Sequence, residues 1–311
     1  MQKNIAGRFS MDFKDVQICR MLSINSRISY REMGDSLSLS VNSIHKRIQA
    51  LQDSGIISRY IVAPRLKMLD ALVVMVFGTS VTGNMKETIR LLGDNPSTYR
   101  VVLATGNYLY VHGILRKISD MEGYISFVSR IGEMENAEMG IVSNPEKMEE
   151  SLSRLDYQII KSLGTDSRRD LSEVSEELGV STKTIKRRFQ RMLEAGAILP
   201  SIEFNPAASG AVICTIHLVL NKGVNKSDAM VYLQNEQKGN LLGVAGLDNH
   251  PELIIFSAWA ANMKELKALQ DSIEASGHFR TAVPYVFYST HNFESWKDRM
   301  IDDRASAESQ T

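Results

Sequence analysis

Two short stretches of the chain place cationic and amide side chains at helical spacing with no acid among them. Between Val41 and Gln52, Val41, Ile44, Ile48 and Leu51 recur on one helical face, which leaves Asn42, Ser43, His45, Lys46, Arg47 and Gln49 for another. Between Thr182 and Leu193, Thr182, Ile185, Phe189 and Met192 take the first role. Lys183, Thr184, Lys186, Arg187, Arg188 and Arg191 take the second. Lys and Arg neutralise phosphates or pair with guanine edges, and Asn or Gln pairs with adenine, so the chemistry these residues suit is contact with double-stranded DNA. A lone run of this kind is ordinarily a solvated helix face, and its meaning depends on the elements that carry it.

Those elements are duplicated. Asp15–Ile57 lies over Asp156–Ile198 at a constant offset of 141 residues without a gap, and about a third of the window is identical. The identities include Asp15/Asp156, Ile18/Ile159, Leu22/Leu163, Ser26/Ser167, Arg27/Arg168, Glu32/Glu173, Arg47/Arg188 and Gly55/Gly196. Each copy reads as three short helices. The second opens on a capping box, Ser29 to Glu32 or Asp170 to Glu173, and the third is capped by Ser40 or Ser181. The third ends at Gly55 or Gly196, the residue type suited to a left-handed stop. Two helices across a tight turn, the second with a basic outer face, form a helix-turn-helix, and the β-prone stretch from Ile56 to Val62 is expected to form a wing. Arg27 and Arg168 stand just before the second helix, where they suit either a phosphate or the turn itself.

A different texture fills the rest. The order strand 71–80, helix 84–93, strands 99–105 and 108–115, helix 119–131 and strand 137–142 recurs as 211–220, 226–236, 240–245, 252–259, 262–275 and 279–288. A βαββαβ order predicts an antiparallel sheet with both helices on one side, the ferredoxin-like plan. Val212, Cys214, Ile216, Leu218 and Leu220 make one strand face apolar, whereas Ile213, Thr215, His217 and Val219 make the other mixed, a face that calls for a partner sheet. The expected class is α+β, with two winged helix-turn-helix domains (1–65 and 146–205) alternating with two ferredoxin-like, ACT/RAM-like sensing or oligomerisation domains (66–145 and 206–294). A polar tail, 295–311, is expected to be disordered at its end.

Composition fits this division. The formal net charge of zero averages +4 over residues 1–62, −2 over 63–151, +1 over 152–204 and −3 over 205–311, so positive charge sits in the two helical segments. The two cysteines, Cys19 and Cys214, lie in apolar segments and read as reduced core residues, and neither a membrane span nor a secretory leader is evident, which points to the cytoplasm. The six histidines have no ligand spacing, and no nucleophile elbow, P-loop or paired-carboxylate arrangement occurs, so no metal, cofactor or catalytic residue is expected.

Each half resembles the leucine-responsive regulator and asparagine-operon regulator (Lrp/AsnC) family. Copy one carries the likeness in Asp12 to Asp15, Ile18, Leu22, Ser26 to Ser29, Leu39, Ser40, Ile44, Arg47, Leu51 and Ser54 to Ile57. Copy two carries it in Leu155, Asp156, Ile159, Asp166 to Arg168, Val180, Ser181, Ile185, Arg188, Leu193 and Ala195 to Ile198. The resemblance implies a DNA-binding transcriptional regulator modulated by an amino-acid-like effector. Members usually hold one such unit and dimerise through their sheets. With two units in one chain, an intrachain pseudo-dimer and further homo-oligomers are expected. The family's Thr-Gly-x-Tyr-Asp turn corresponds to Thr105–Leu109 here and, in longer form, to Ala245–Pro251, which singles out Gly106, Asn107, Tyr108, Gly246, Asp248 and Asn249 for the effector. Sirohaem decarboxylases share this architecture in fused form and carry His and Arg at the third strand of the sheet domain. Tyr108–Arg116 supplies His112 and Arg116, so such an enzyme is one alternative, and an architectural DNA-coating protein is another.

Overall fold

The computed structural model describes residues 11–69, 71–142, 151–205 and 208–306. Copy one supplies α1 (Phe13–Ile24), α2 (Tyr30–Leu37), α3 (Val41–Asp53) and β1 (Ile57–Pro64). Its sheet segment supplies β2 (Leu72–Ser80), α4 (Met85–Gly93), β3 (Thr98–Ala104), β4 (Tyr108–Leu115), α5 (Met121–Ile131) and β5 (Met134–Ile141). Copy two repeats the series as α6 (Arg154–Ser162), α7 (Leu171–Leu178), α8 (Thr182–Glu194) and β6 (Ile198–Phe204). It continues with β7 (Val212–Leu220), α9 (Lys226–Glu236), β8 (Leu241–Leu247), β9 (His250–Ala260), α10 (Met263–Ala275), β10 (Phe279–Asn292) and α11 (Trp296–Ser306). The chain does not fold as four beads in a row. Like elements gather, with residues 72–142 and 208–295 in one compact unit and 17–69, 151–205 and 296–306 in another.

In the sheet unit the two βαββαβ segments form one eight-stranded sheet of order β5-β2-β4-β3-β10-β7-β9-β8. β10 makes the join. Its first part pairs with β7, from Phe279 opposite Leu220 to Val286 opposite Cys214. It then runs past the expected end at Tyr288 and pairs with β3, as far as Asn292 opposite Arg100. The outer strands β5 and β8 also meet, through a bridge between Val142 and Leu247. The Asp248 N–H donates to the Ile141 carbonyl (2.8 Å), and the Asn249 side chain accepts from Ile141 N–H (2.8 Å) and donates to the Met139 carbonyl (2.6 Å). The two outer strands are thereby tied at one end, and the backbone groups of Ile141 and Asp248 there are paired.

The alternation read from β7 is realised. Cys214, Ile216, Leu218 and Leu220 pack with Leu233 of α9 and with Leu266, Leu269 and Ile273 of α10. The equivalent core beneath α4 and α5 holds Val74, Val76, Val101, Val111 and Val128. The opposite faces of both segments share a third core of Met75, Phe77, Val102, Tyr110, Leu247 and Ile255. His217 sits there among rings, with its Nε2 2.9 Å from the Tyr110 hydroxyl, and burial lowers its pKa to about 4, so the imidazole is neutral at physiological pH.

In the helical unit the caps follow the sequence with one exception. Ser29 Oγ accepts from Glu32 N–H (3.1 Å), and Glu32 accepts from Ser29 N–H (2.9 Å). The expected box in copy two does not form. Asp170 accepts from Ser172 N–H (2.8 Å), and Glu173 is drawn to Arg169 (3.2 Å) instead, because that cation competes for the glutamate. Gly55 (φ 73°) and Gly196 (φ 61°) adopt the left-handed stops. Val41, expected in the core, is 51% exposed, since the first residue of α3 lies beyond the face that Ile44, Ile48 and Leu51 bury. The strands after the glycines are not separate wings. β1 and β6 pair with each other, Tyr60 opposite Ile202, as one antiparallel ribbon shared by both copies. The polar tail contains a helix over 296–306: α11 packs Met300, Ile301 and Ala305 into the core of copy two, and Arg154 Nε donates to the Ala305 carbonyl (3.4 Å). Polar composition hid it because only one stripe of α11 is apolar. The end expected to be disordered, 307–311, lies outside the described residues.

The bridge between the outer strands yields a first prediction. A Cβ on Gly140 would lie 2.5 Å from Leu247 Cδ1, and Leu247 is wholly buried. Gly140→Ala should therefore destabilise the chain by about 1–3 kcal/mol in urea unfolding. Adding Leu247→Ala should cost less in that background than in the wild type. Additive losses would mean that the two residues do not press on one another.

Candidate nucleic-acid interface

The helical unit holds both basic helices, and the two copies grip each other through reciprocal contacts. Ser26 N–H donates to the Pro200 carbonyl (2.9 Å), and Ser167 N–H donates to the Tyr60 carbonyl (3.2 Å). The two serine hydroxyls, 141 residues apart, lie 2.5 Å from each other. Arg27 donates to the carbonyls of Ser167 (2.5 Å) and Arg169 (3.1 Å), and Arg168 donates to those of Ser26 (2.6 Å) and Ile28 (3.0 Å). Each guanidinium also covers a ring, Arg27 on Phe189 (5.2 Å) and Arg168 between Tyr30 (4.8 Å) and Tyr60 (5.2 Å). Sequence alone left these arginines divided between phosphate and turn. They hold carbonyls of the opposite copy, a role no single copy could display.

On α3, Asn42, His45, Lys46 and Gln49 are exposed, whereas Ser43 and Arg47 are half-buried. Ser43 N–H donates to Ser40 Oγ (3.2 Å), Gln49 Nε2 donates to Asp53 (2.8 Å), and the His45 ring lies edge-on to Tyr30 at 5.8 Å. On α8, Lys183, Lys186 and Arg187 are exposed and make no ion pair among the described residues. Thr184 supports the cap, its N–H donating to Ser181 Oγ (3.2 Å).

Arg188 and Arg191 are turned elsewhere. Both reach Asp156 on α6, whose side chain is inaccessible to solvent, at 3.2 Å and 2.7 Å. Arg188 also donates to Ser153 Oγ (3.0 Å), and Ser153 caps α6 by accepting from Asp156 N–H (3.4 Å). Burial would push the Asp156 carboxyl up, but hydrogen bonds from Ser153 and Arg188 and the charge of Arg191 outweigh it and leave the pKa below the ordinary value. The carboxylate thus fixes α8 against α6. Sequence reasoning passed over Asp156, although its signal was present: Asp15 and Arg47 recur at the same separation as Asp156 and Arg188.

The residues singled out for an effector lie in the sheet unit and are not brought into one group by any contact. Gly106 (φ 71°) and Asn107 (φ 54°) form an exposed turn, and Tyr108 stacks on Tyr285 at 4.0 Å between ring centres. Gly246 backs onto Lys226, while Asp248 and Asn249 serve the bridge to β5. His112 is half-buried on β4 beside Tyr99, and desolvation lowers its pKa to about 3, so it stays neutral. Cys19 and Cys214 are buried in the core and form no disulfide with each other. Among the described residues no helix is long and apolar enough to cross a membrane, and no group of acidic, His and Cys side chains is placed to hold a metal.

Comparison with known proteins agrees with this geometry. The AsnC-type helix-turn-helix domain model matches residues 11–52 and 152–193. An HTH-type transcriptional regulator of Pyrococcus horikoshii is 30% identical over 143 residues, which are 45% of this chain and 97% of that relative. The HTH-type transcriptional regulator Ptr1 of Methanocaldococcus jannaschii is 29% identical over 99 residues, 32% of this chain and 67% of Ptr1. Among solved structures, the siroheme decarboxylase NirDL aligns with 94% of this chain and 98% of its own at a TM-score of 0.59, with 12% identity, a likeness of fold alone. The chain belongs to the Lrp/AsnC family of transcriptional regulators, and it carries the family's unit twice.

The Asp156 cluster gives the second prediction. Asp156→Ala leaves two arginines without their carboxylate and should cost about 1–3 kcal/mol in denaturant unfolding. Because the folded-state pKa is depressed, the contribution is complete above the pKa of the unfolded carboxyl and is lost as pH falls through the folded value. Asp156→Asn should therefore flatten the acid limb of the stability curve. An unchanged limb would place the stabilisation in other groups.

Proposed function

We propose that the helical unit binds double-stranded DNA with α3 and α8 as its recognition helices, and that the chain acts by occupying operator sites. The observation that carries this is the arrangement of exposed, unpaired cations on the outer face of a capped third helix: Lys183, Lys186 and Arg187 on α8, with Lys46 at the corresponding place on α3. Asn42, Ser43, His45, Gln49 and Thr184 supply the hydrogen-bonding groups that tell bases apart. Arg188 and Arg191 act one step back, holding α8 in position through Asp156. A paired arrangement of this kind reads half-sites about 34–36 Å apart, or a multiple of that. The compartment that fits is the cytoplasm, where thiols such as Cys19 and Cys214 stay reduced.

Replacing Lys183, Lys186 and Arg187 together by Ala should weaken DNA binding and lower the slope of log K against log salt by roughly 0.9 for each phosphate that the protein ceases to neutralise. Equal affinity and slope, with the circular dichroism spectrum intact, would remove α8 from the interface.

The reading gives the sheet unit a sensing role for an amino-acid-like molecule and no catalytic one. The exposed Gly106–Tyr108 turn is the better place for an effector, since Asp248 and Asn249 are engaged in tying the outer strands. His112, neutral at working pH, is poorly suited to pass a proton. A thermal-shift panel of amino acids, followed by absorbance and turnover assays with sirohaem, tests both parts. A rise in Tm with one amino acid, abolished in Gly106→Val, supports the sensor. A coloured preparation, or sirohaem decarboxylation dependent on His112, overturns the non-catalytic reading.

A further inference from the structure

We propose that one copy of this chain recognises an asymmetric DNA site, with two unlike halves in a fixed order, one read by α3 and the other by α8. The inference rests on the DNA-binding reading above and adds the form of the target. Both helix-turn-helix copies lie in one unit and are joined within the chain by the β1–β6 ribbon, the Ser26–Ser167 contact and the reciprocal Arg27 and Arg168 hydrogen bonds. A second chain is therefore not needed to supply the second recognition helix.

At the constant offset of 141, Arg47 matches Arg188 and Gln49 matches Gln190, so the frames of the two helices agree. The outward positions differ as a block: Asn42 against Lys183, Ser43 against Thr184, His45 against Lys186 and Lys46 against Arg187. The α8 block carries three full cations and the α3 block one, so the copy-two half supplies more phosphate neutralisation and the α3 half more amide and imidazole chemistry. Identical subunits would present one block twice and favour a palindrome. Unlike blocks on a joined frame favour unlike half-sites.

The test is selection of bound duplexes from a random library by the full chain, with the stoichiometry of the complex measured by light scattering. The expected result is a non-palindromic consensus bound by one chain, in which inverting either half lowers affinity about tenfold or more. The symmetrised variant N42K/S43T/H45K/K46R leaves the buried Ile44, Ile48 and Leu51 of α3 unchanged, and it should select an inverted repeat of the α8 half-site. The reverse variant K183N/T184S/K186H/R187K should select an inverted repeat of the α3 half-site, and it stands in if the first variant does not fold. A palindrome selected by the wild type, two chains on each minimal site, or an unchanged consensus in a folded variant would overturn the inference while leaving DNA binding intact. No enrichment of any duplex by the wild type would overturn the DNA-binding reading together with it.

Discussion

A strand edge exposes N–H and C=O groups at regular intervals, and each one left dry and unpaired costs about 1–3 kcal/mol. Each half of this chain has such edges, and each meets its requirement in the other half. The long β10 takes β3 from the first half onto its far end, and β5 reaches β8 at Val142 and Leu247. The helical unit obeys the same constraint on a smaller scale. β1 and β6 have only each other to pair with, and the carbonyls before α2 and α7 take their donors from the opposite arginines. The gathering of like elements from distant parts of the chain follows from this need.

The placement of charge depends on that frame. A helix as basic as α8 would repel itself and its surroundings if every cation pointed the same way. Two of its arginines are instead paired with Asp156, where they lock the helix to α6, and three exposed cations make no ion pair among the described residues. A single run of basic residues thus divides into an inner pair that orients the helix and an outer group available to a polyanion. The division follows which side chains reach α6: Arg188 and Arg191, three residues apart, both meet Asp156, while Lys183 and Lys186 lie around the cylinder and Arg187, beside Arg191, extends to solvent.

Much of this was legible in the sequence, and the failures share a cause. The repeat, the six elements of each sheet segment, the serine caps and the glycine stops are local signals, and the structure places them within a few residues of expectation. What escaped was non-local. Arg27 and Arg168 looked like residues of a turn because their acceptors lie about 140 positions away. A strand after Gly55 looked like a wing because its partner is the equivalent strand of the other copy. The α11 helix looked like a tail because its apolar stripe acquires meaning only against α6. Asp156 is the instructive case: a lone acid beneath a basic helix reads as nothing until its counterpart Asp15 is seen to recur with the same arginine beyond it.

Joining two copies in one polypeptide also changes how such a protein can diversify and at what dose it works. In a pair of identical subunits every substitution is felt twice, so improving one contact is bound to alter its mirror image. Here Lys46 and Arg187, or Asn42 and Lys183, are separate codons, and one half can drift while its neighbour keeps the complex on its target. Tethering also replaces a bimolecular encounter with an internal one. Pairing of the two helix-turn-helix modules is then set within the polypeptide and does not depend on how many molecules are present.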